Sequence, residues 1–124
     1  MSGPGHAAED ATRAAVDRFN DAFNRHDVDA VMDAMTDDCA FESTSPPLGE
    51  RIVGHDAVRA FWEQFFTASP SSRFDAEEIF TVGDRCVVRW VHVWTGDTPG
   101  SVRGVDLITV RDGKVAEKLA YVKG

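Results

Sequence analysis

The chain is short of cysteine, of basic charge and of long apolar runs, and each shortage excludes something. Its two cysteines, Cys39 and Cys86, stand apart in strand-like apolar stretches. Neither a Cys-x-x-Cys nor a Cys/His pair has the spacing of a metal site, so two buried thiols in a reducing compartment, with no metal, are expected. Lys and Arg number 13 against 21 Asp and Glu, a formal net charge of −8. The acids are spread along the chain and leave no basic face, which argues against nucleic acid and anionic membrane as partners. No apolar run approaches the roughly 20 residues needed to cross a bilayer. The opening MSGPGHAAED has neither the basic start nor the apolar core of a secretory signal. A cytoplasmic protein without a cofactor is the expectation. Internal repeats and low-complexity segments are missing as well.

What is present suits one domain. Eight Phe, three Trp and one Tyr in 124 residues supply bulk for a core. Residues 1–6, with Gly3, Pro4 and Gly5, read as a frayed start, and residues 7–124 as the domain. Ala8, Ala11, Ala15, Phe19, Ala22 and Phe23 recur at helical steps from about Ala7 to Arg25. Asp27 is placed to cap a second helix carrying Val28, Val31, Met32 and Met35. Cys39 to Ser43 reads as a short strand and Thr44 to Gly49 as a loop; Arg51 to Val53 has room for another strand of two or three residues. Gly54-His55-Asp56 opens a third helix with an aromatic face. The remainder is strand, from Phe74 to Val82, Arg85 to Thr95, and a closing hairpin from Val102 to Lys123. The order α-α-β-α-β-β-β-β predicts an α+β cone, three helices packed on a strongly curved, mostly antiparallel sheet.

The closing hairpin carries the polar residues of interest. Asp106 stands in a strand of apolar and small residues, and the turn Arg111-Asp112-Gly113 leads to Lys118. A type I turn with Gly113 left-handed sets Asp106 opposite Lys118, whereas a two-residue Asp112-Gly113 turn sets it opposite Leu119. The first register is favoured. On the preceding strand Trp90, His92 and Trp94 share one face. Counting back through the Gly96–Ser101 loop brings His92 near Asp106. A cross-strand row His92, Asp106, Lys118 on the floor of an apolar pocket is therefore predicted.

In FNDAFNRHDVDAVMDAMTDDCAFES, GHDAVRAFW and RGVDLITVRDGKVAEKLAYVKG the chain resembles the nuclear-transport-factor-2-like superfamily in its SnoaL-like branch. The resemblance spans about Ala8 to Lys123. It implies a pocket between helices and sheet and commonly a dimer through the outer sheet face, but no single activity. Against ketosteroid isomerases, the catalytic Tyr falls on Phe19, the base Asp on Ser43, and the oxyanion-binding acid on Asp106, which is kept. Polyketide cyclases carry His-x-Asp where this chain has Lys118-Leu119-Ala120, so their base falls on Ala120.

Three functions compete. The first is a cofactor-independent acid/base enzyme of isomerase, cyclase or hydrolase type, with His92 as base or acid, Asp106 as its partner or the oxyanion donor, and Lys118 as electrostatic support. The second is a module that binds a small hydrophobic molecule without chemistry. The third is a dimeric accessory domain with a closed core. In the first two, Phe19, Met32, Met35, Phe41, Ser43, Trp62, Phe65, Trp90, Trp94, Ile108 and Ala120 are the candidate lining. Asp106 and Lys118 can equally be a structural pair that neutralises itself. A homodimer is expected because Arg89, Val91, Val93, Leu107, Thr109 and Tyr121 would leave an apolar sheet face in water.

Overall fold

The computed structural model describes residues 4–124. Helix α1 (Pro4–Asn24) presents Ala15, Val16, Phe19, Ala22 and Phe23 to the interior. Ala8 and Ala11 are exposed. Thr12 lies on the inner stripe instead, its hydroxyl 2.7 Å from the Gly83 carbonyl. The helix opens at Pro4, and proline is pre-shaped for a first helical position; residues 1–3, part of the start expected to fray, lie outside the described residues.

Asp27 caps α2 (Val28–Asp33) through the Ala30 amide. Strand β1 (Met35–Glu42) starts four residues before Cys39. The chain leaves the helix early because Met35 pairs with Val115 on the last strand. Strand β2 (Arg51–Val53) follows, then α3 (His55–Ala68), β3 (Arg73–Val82), β4 (Arg85–Trp94), β5 (Gly100–Arg111) and β6 (Lys114–Val122). The six strands form one sheet in the order β2-β1-β6-β5-β4-β3, antiparallel except for β1 beside β6. The three helices pack on one face of it, and the α+β architecture is the expected one with β2 added.

The core lies between α1, α3 and the inner sheet face. Phe23 is its hub, with Trp62, Phe66 and Phe74 edge-on at 4.9–5.5 Å between ring centres. Cys39 and Cys86 are buried free thiols, and burial pushes both up to about 11.

Two local features set which residues face inward. Asp112 and Gly113 both have positive φ, 54° and 74°. That is the two-residue hairpin turn whose twist matches the strands, and it pairs Arg111 with Lys114. A bulge then leaves Ala116 unpaired, so Thr109 faces Glu117, Ile108 faces Lys118 and Asp106 faces Ala120. The predicted Asp106–Lys118 pairing is thus corrected: the two are diagonal neighbours on the same face.

Candidate functional site

Asp106 and Lys118 are 5% and 7% exposed. Lys118 Nζ stands 3.6 Å from Asp106 Oδ2, an ion-pair distance longer than a hydrogen bond. Around the ammonium are ring faces. Phe23 is 4.6 Å away, Phe19 5.1 Å, Trp62 5.2 Å and Phe41 5.6 Å, measured to ring centres. This aromatic cage holds a cation through ring quadrupoles in place of water. Desolvation pushes the Asp106 carboxyl above the usual carboxylate range, and the Lys118 charge pulls back against it. The Trp90 N–H also acts on that carboxyl but completes no well-formed hydrogen bond; it and the Trp62 N–H are buried without a partner.

A cavity of about 190 Å³ opens over the pair. Its walls are mostly aromatic, including Phe41, Trp62, Phe65, Phe74 and Trp90. Thr44 and Ser45 from the loop after β1 stand among its lining. Ser43 holds that loop: its hydroxyl oxygen accepts from the Glu50 amide at 3.0 Å. A second space of about 70 Å³, also lined by Asp106 and Lys118, reaches Asn20 and Asn24 on α1. The pair therefore borders two adjoining voids.

His92 lines the larger cavity but does not meet Asp106. It pairs with Val102 on β5, whereas Asp106 pairs with Val88. Four residues of strand separate them, roughly 13 Å of rise. The predicted row is corrected to a pair with a distant third member. His92 stacks on Phe74 at 4.2 Å and 6° and meets the Ser72 hydroxyl through Nε2. Burial holds its ring below the usual histidine range, which favours the neutral imidazole.

Tryptophan and glycine set this register. A Cβ on Gly104 would fall 2.4 Å from the Trp90 ring, and one on Gly100 2.5 Å from the Trp94 ring. The two indoles lie over the two glycines, pairing Trp90 with Gly104 and Trp94 with Gly100. The matched spacing, Trp90-x-x-x-Trp94 against Gly100-x-x-x-Gly104, was a usable signal in the sequence.

Of the predicted lining, Phe41, Ser43, Trp62, Phe65, Trp90 and Ala120 border the larger cavity. Met32, Met35 and Ile108 do not; they are at most 1% exposed and fill the core. Phe19 lies under Lys118 as part of its cage. Trp94 lies beyond the lining, over Gly100, and donates to the Thr98 carbonyl at 2.9 Å. Phe23, Phe61, Phe74, Val102 and Val122 border the cavity without having been singled out. Among the described residues, no group of three or more His, Cys, Asp or Glu could hold a metal. None of the described helices is long and apolar enough to cross a membrane.

The model of the SnoaL-like domain family matches residues 16–118. The chain is a SnoaL-like domain. It belongs to the nuclear-transport-factor-2-like superfamily. A nuclear-transport-factor-2-like protein of unknown function from Mesorhizobium loti is 41% identical over 94% of this chain and 93% of its own, with a TM-score of 0.82. A protein from Jannaschia assigned as a SnoaL-like polyketide cyclase is 21% identical over 99% of this chain and 90% of its own, with a TM-score of 0.83. TerC, co-crystallised with polyporic acid, is 22% identical over 91% of this chain and 92% of its own, with a TM-score of 0.80. The last two likenesses speak for the fold alone. No curated protein matches the chain. Within this SnoaL-like domain, Phe19, Ser43 and Ala120 bring no acid or base to the cavity, which leaves Asp106, Lys118 and His92 as its titratable lining.

Proposed function

We propose that this SnoaL-like domain takes a compact, mostly apolar ring molecule into the cavity and acts on an oxygen, or a proton beside it, with Asp106 and Lys118. The carrying observation is a buried acid and a buried amine side by side on the floor of an otherwise aromatic cavity. Buried charges cost stability unless paired and hydrogen-bonded, and this pair is imperfectly satisfied. A cavity of about 150 Å³ admits benzene, so one ring or two fused rings suit the 190 Å³ here. Asp106 is the general base toward a carbon next to a carbonyl, and Lys118 supports the charge that develops on the oxygen. His92 would touch the far end of such a molecule, four residues of strand away from Asp106. The ligand of TerC, polyporic acid, supports a ring-bearing ligand by analogy of fold.

The test is exchange of the α-protons of 2-tetralone in deuterated water, followed by NMR. The domain should accelerate exchange, Asp106→Asn should lower the rate by about 10²–10⁴-fold, and His92→Ala should leave most of it. Saturable binding without acceleration would instead support a non-catalytic binding module. That second reading is favoured by the seating of His92 on Phe74 and Ser72, which leaves the pair without a relay.

We also infer a homodimer through the outer sheet face. Val91, Val93, Val105, Leu107 and Leu119 are only half-buried there and Tyr121 is 49% exposed. Sedimentation should give a dimer at tens of micromolar, roughly the working range of such equilibria, and a monomer at that concentration would refute it.

A further inference from the structure

The polar groups around the cavity have unequal needs. Lys118 has three N–H donors, and among the described residues none completes a hydrogen bond; its one carboxylate neighbour is 3.6 Å away. Trp62 and Trp90 each bury an indole N–H without a partner. Asp106 completes no hydrogen bond either, and it is the single acceptor set against these donors. On the acceptor side, Asp106 is the one acid bordering either void, although the chain holds 21 Asp and Glu. Ring faces close around the ammonium. Because those faces repel negative charge, an oxygen can reach Nζ only from the open, cavity side.

We propose that the resting ligand is an organic anion: a flat ring system whose carboxylate, enolate or phenolate oxygen docks on Lys118. This rests on the cavity being the ligand site, as proposed above, and adds the charge of its occupant. An anionic oxygen adds ion pairing to the charge-assisted hydrogen bond from the amine, which a neutral carbonyl cannot. The rings then stack against Trp62 and Phe41, which already flank the amine. Asp106 is the one opposing charge. It faces Lys118 from β6, uncharged Val88 and Trp90 from β4, and the amides Asn20 and Asn24 of α1 across the smaller void, with the Cys86 thiol further along β4. Burial raises its pKa, so Asp106 can take up a proton when an anion arrives, at a cost that falls on binding.

The experiment compares 2-naphthoate with 2-naphthamide, an anion and its neutral isostere, by calorimetry on the full chain. Naphthoate should bind at least about tenfold tighter, the scale of one charge-assisted contact. Lys118→Met should weaken naphthoate by about thirtyfold or more and leave naphthamide within about threefold. Asp106→Asn should tighten naphthoate by removing the competing acid. Adding Lys118→Met to Asp106→Asn should abolish that gain, which tests the cation without leaving a bare carboxylate behind. Equal affinity for the two probes, or a preference that survives both lysine variants, overturns the anion assignment while the cavity stands as a ligand site. Failure of both probes to bind overturns the anion assignment and counts against the cavity too.

Discussion

Replacing Asp106 by leucine and Lys118 by methionine together is expected to raise the urea midpoint, by about 1–4 kcal/mol of stability. Both side chains are within a few per cent of full burial, and their contact of 3.6 Å is too long for the hydrogen bond that would offset desolvation. Apolar groups of similar volume remove two desolvation costs and keep the packing against Phe23 and Trp62. Each single replacement should do the opposite. Lys118→Met alone strands the carboxylate in an aromatic pocket, a loss of about 3–5 kcal/mol before any relief from protonation. A double variant less stable than the parent chain would mean that the pair is structural, and would weaken the case that it is kept for a ligand.

Gly104→Ala is expected to cost about 2–3 kcal/mol, at the upper part of the range for overpacking. The added Cβ would lie 2.3 Å from the Tyr121 carbonyl oxygen and 2.4 Å from the Trp90 ring. The carbonyl belongs to the β6 backbone and cannot swing aside, so the two strands must shift apart there, and the indole must move as well. Trp90 is a wall of the cavity and the neighbour of Asp106. Urea denaturation should therefore shift together with the tryptophan fluorescence of the folded state. A variant within about 0.5 kcal/mol of the parent, the range of ordinary surface changes, would show that the indole does not depend on the glycine.

The elements were legible because their periods are strong. Val58, Trp62 and Phe66 recur every four residues and are the buried face of α3. Asp106 was legible as a buried acid because it interrupts an apolar strand, and Lys118 as its neighbour because both fall on the inner face. The position of His92 was not, since its distance from Asp106 depends on how many loop residues join the two ladders. Counting through Gly96–Ser101 places His92 four residues too close, whereas the chain pairs Trp94 directly with Gly100. Nor was the bulge legible: nothing in Lys114-Val115-Ala116-Glu117 marks which residue drops out of the ladder. Met32, Met35 and Ile108 were misplaced for a different reason, because an inward-facing apolar residue looks the same whether it meets a cavity or a neighbour.

The unpaired Ala116 decides the sign of the charge on the cavity floor. Were Ala116 a regular rung of the ladder, Glu117 would take the slot opposite Ile108 and turn inward, while Lys118 would move outward opposite Leu107. Two carboxylates would then share the aromatic chamber, and Arg51 would lose the partner it now holds 3.0 Å away on the outer face. One extra peptide unit thus works as a polarity selector: the same residues in the same order give a cationic or an anionic chamber according to where a single backbone step is taken up.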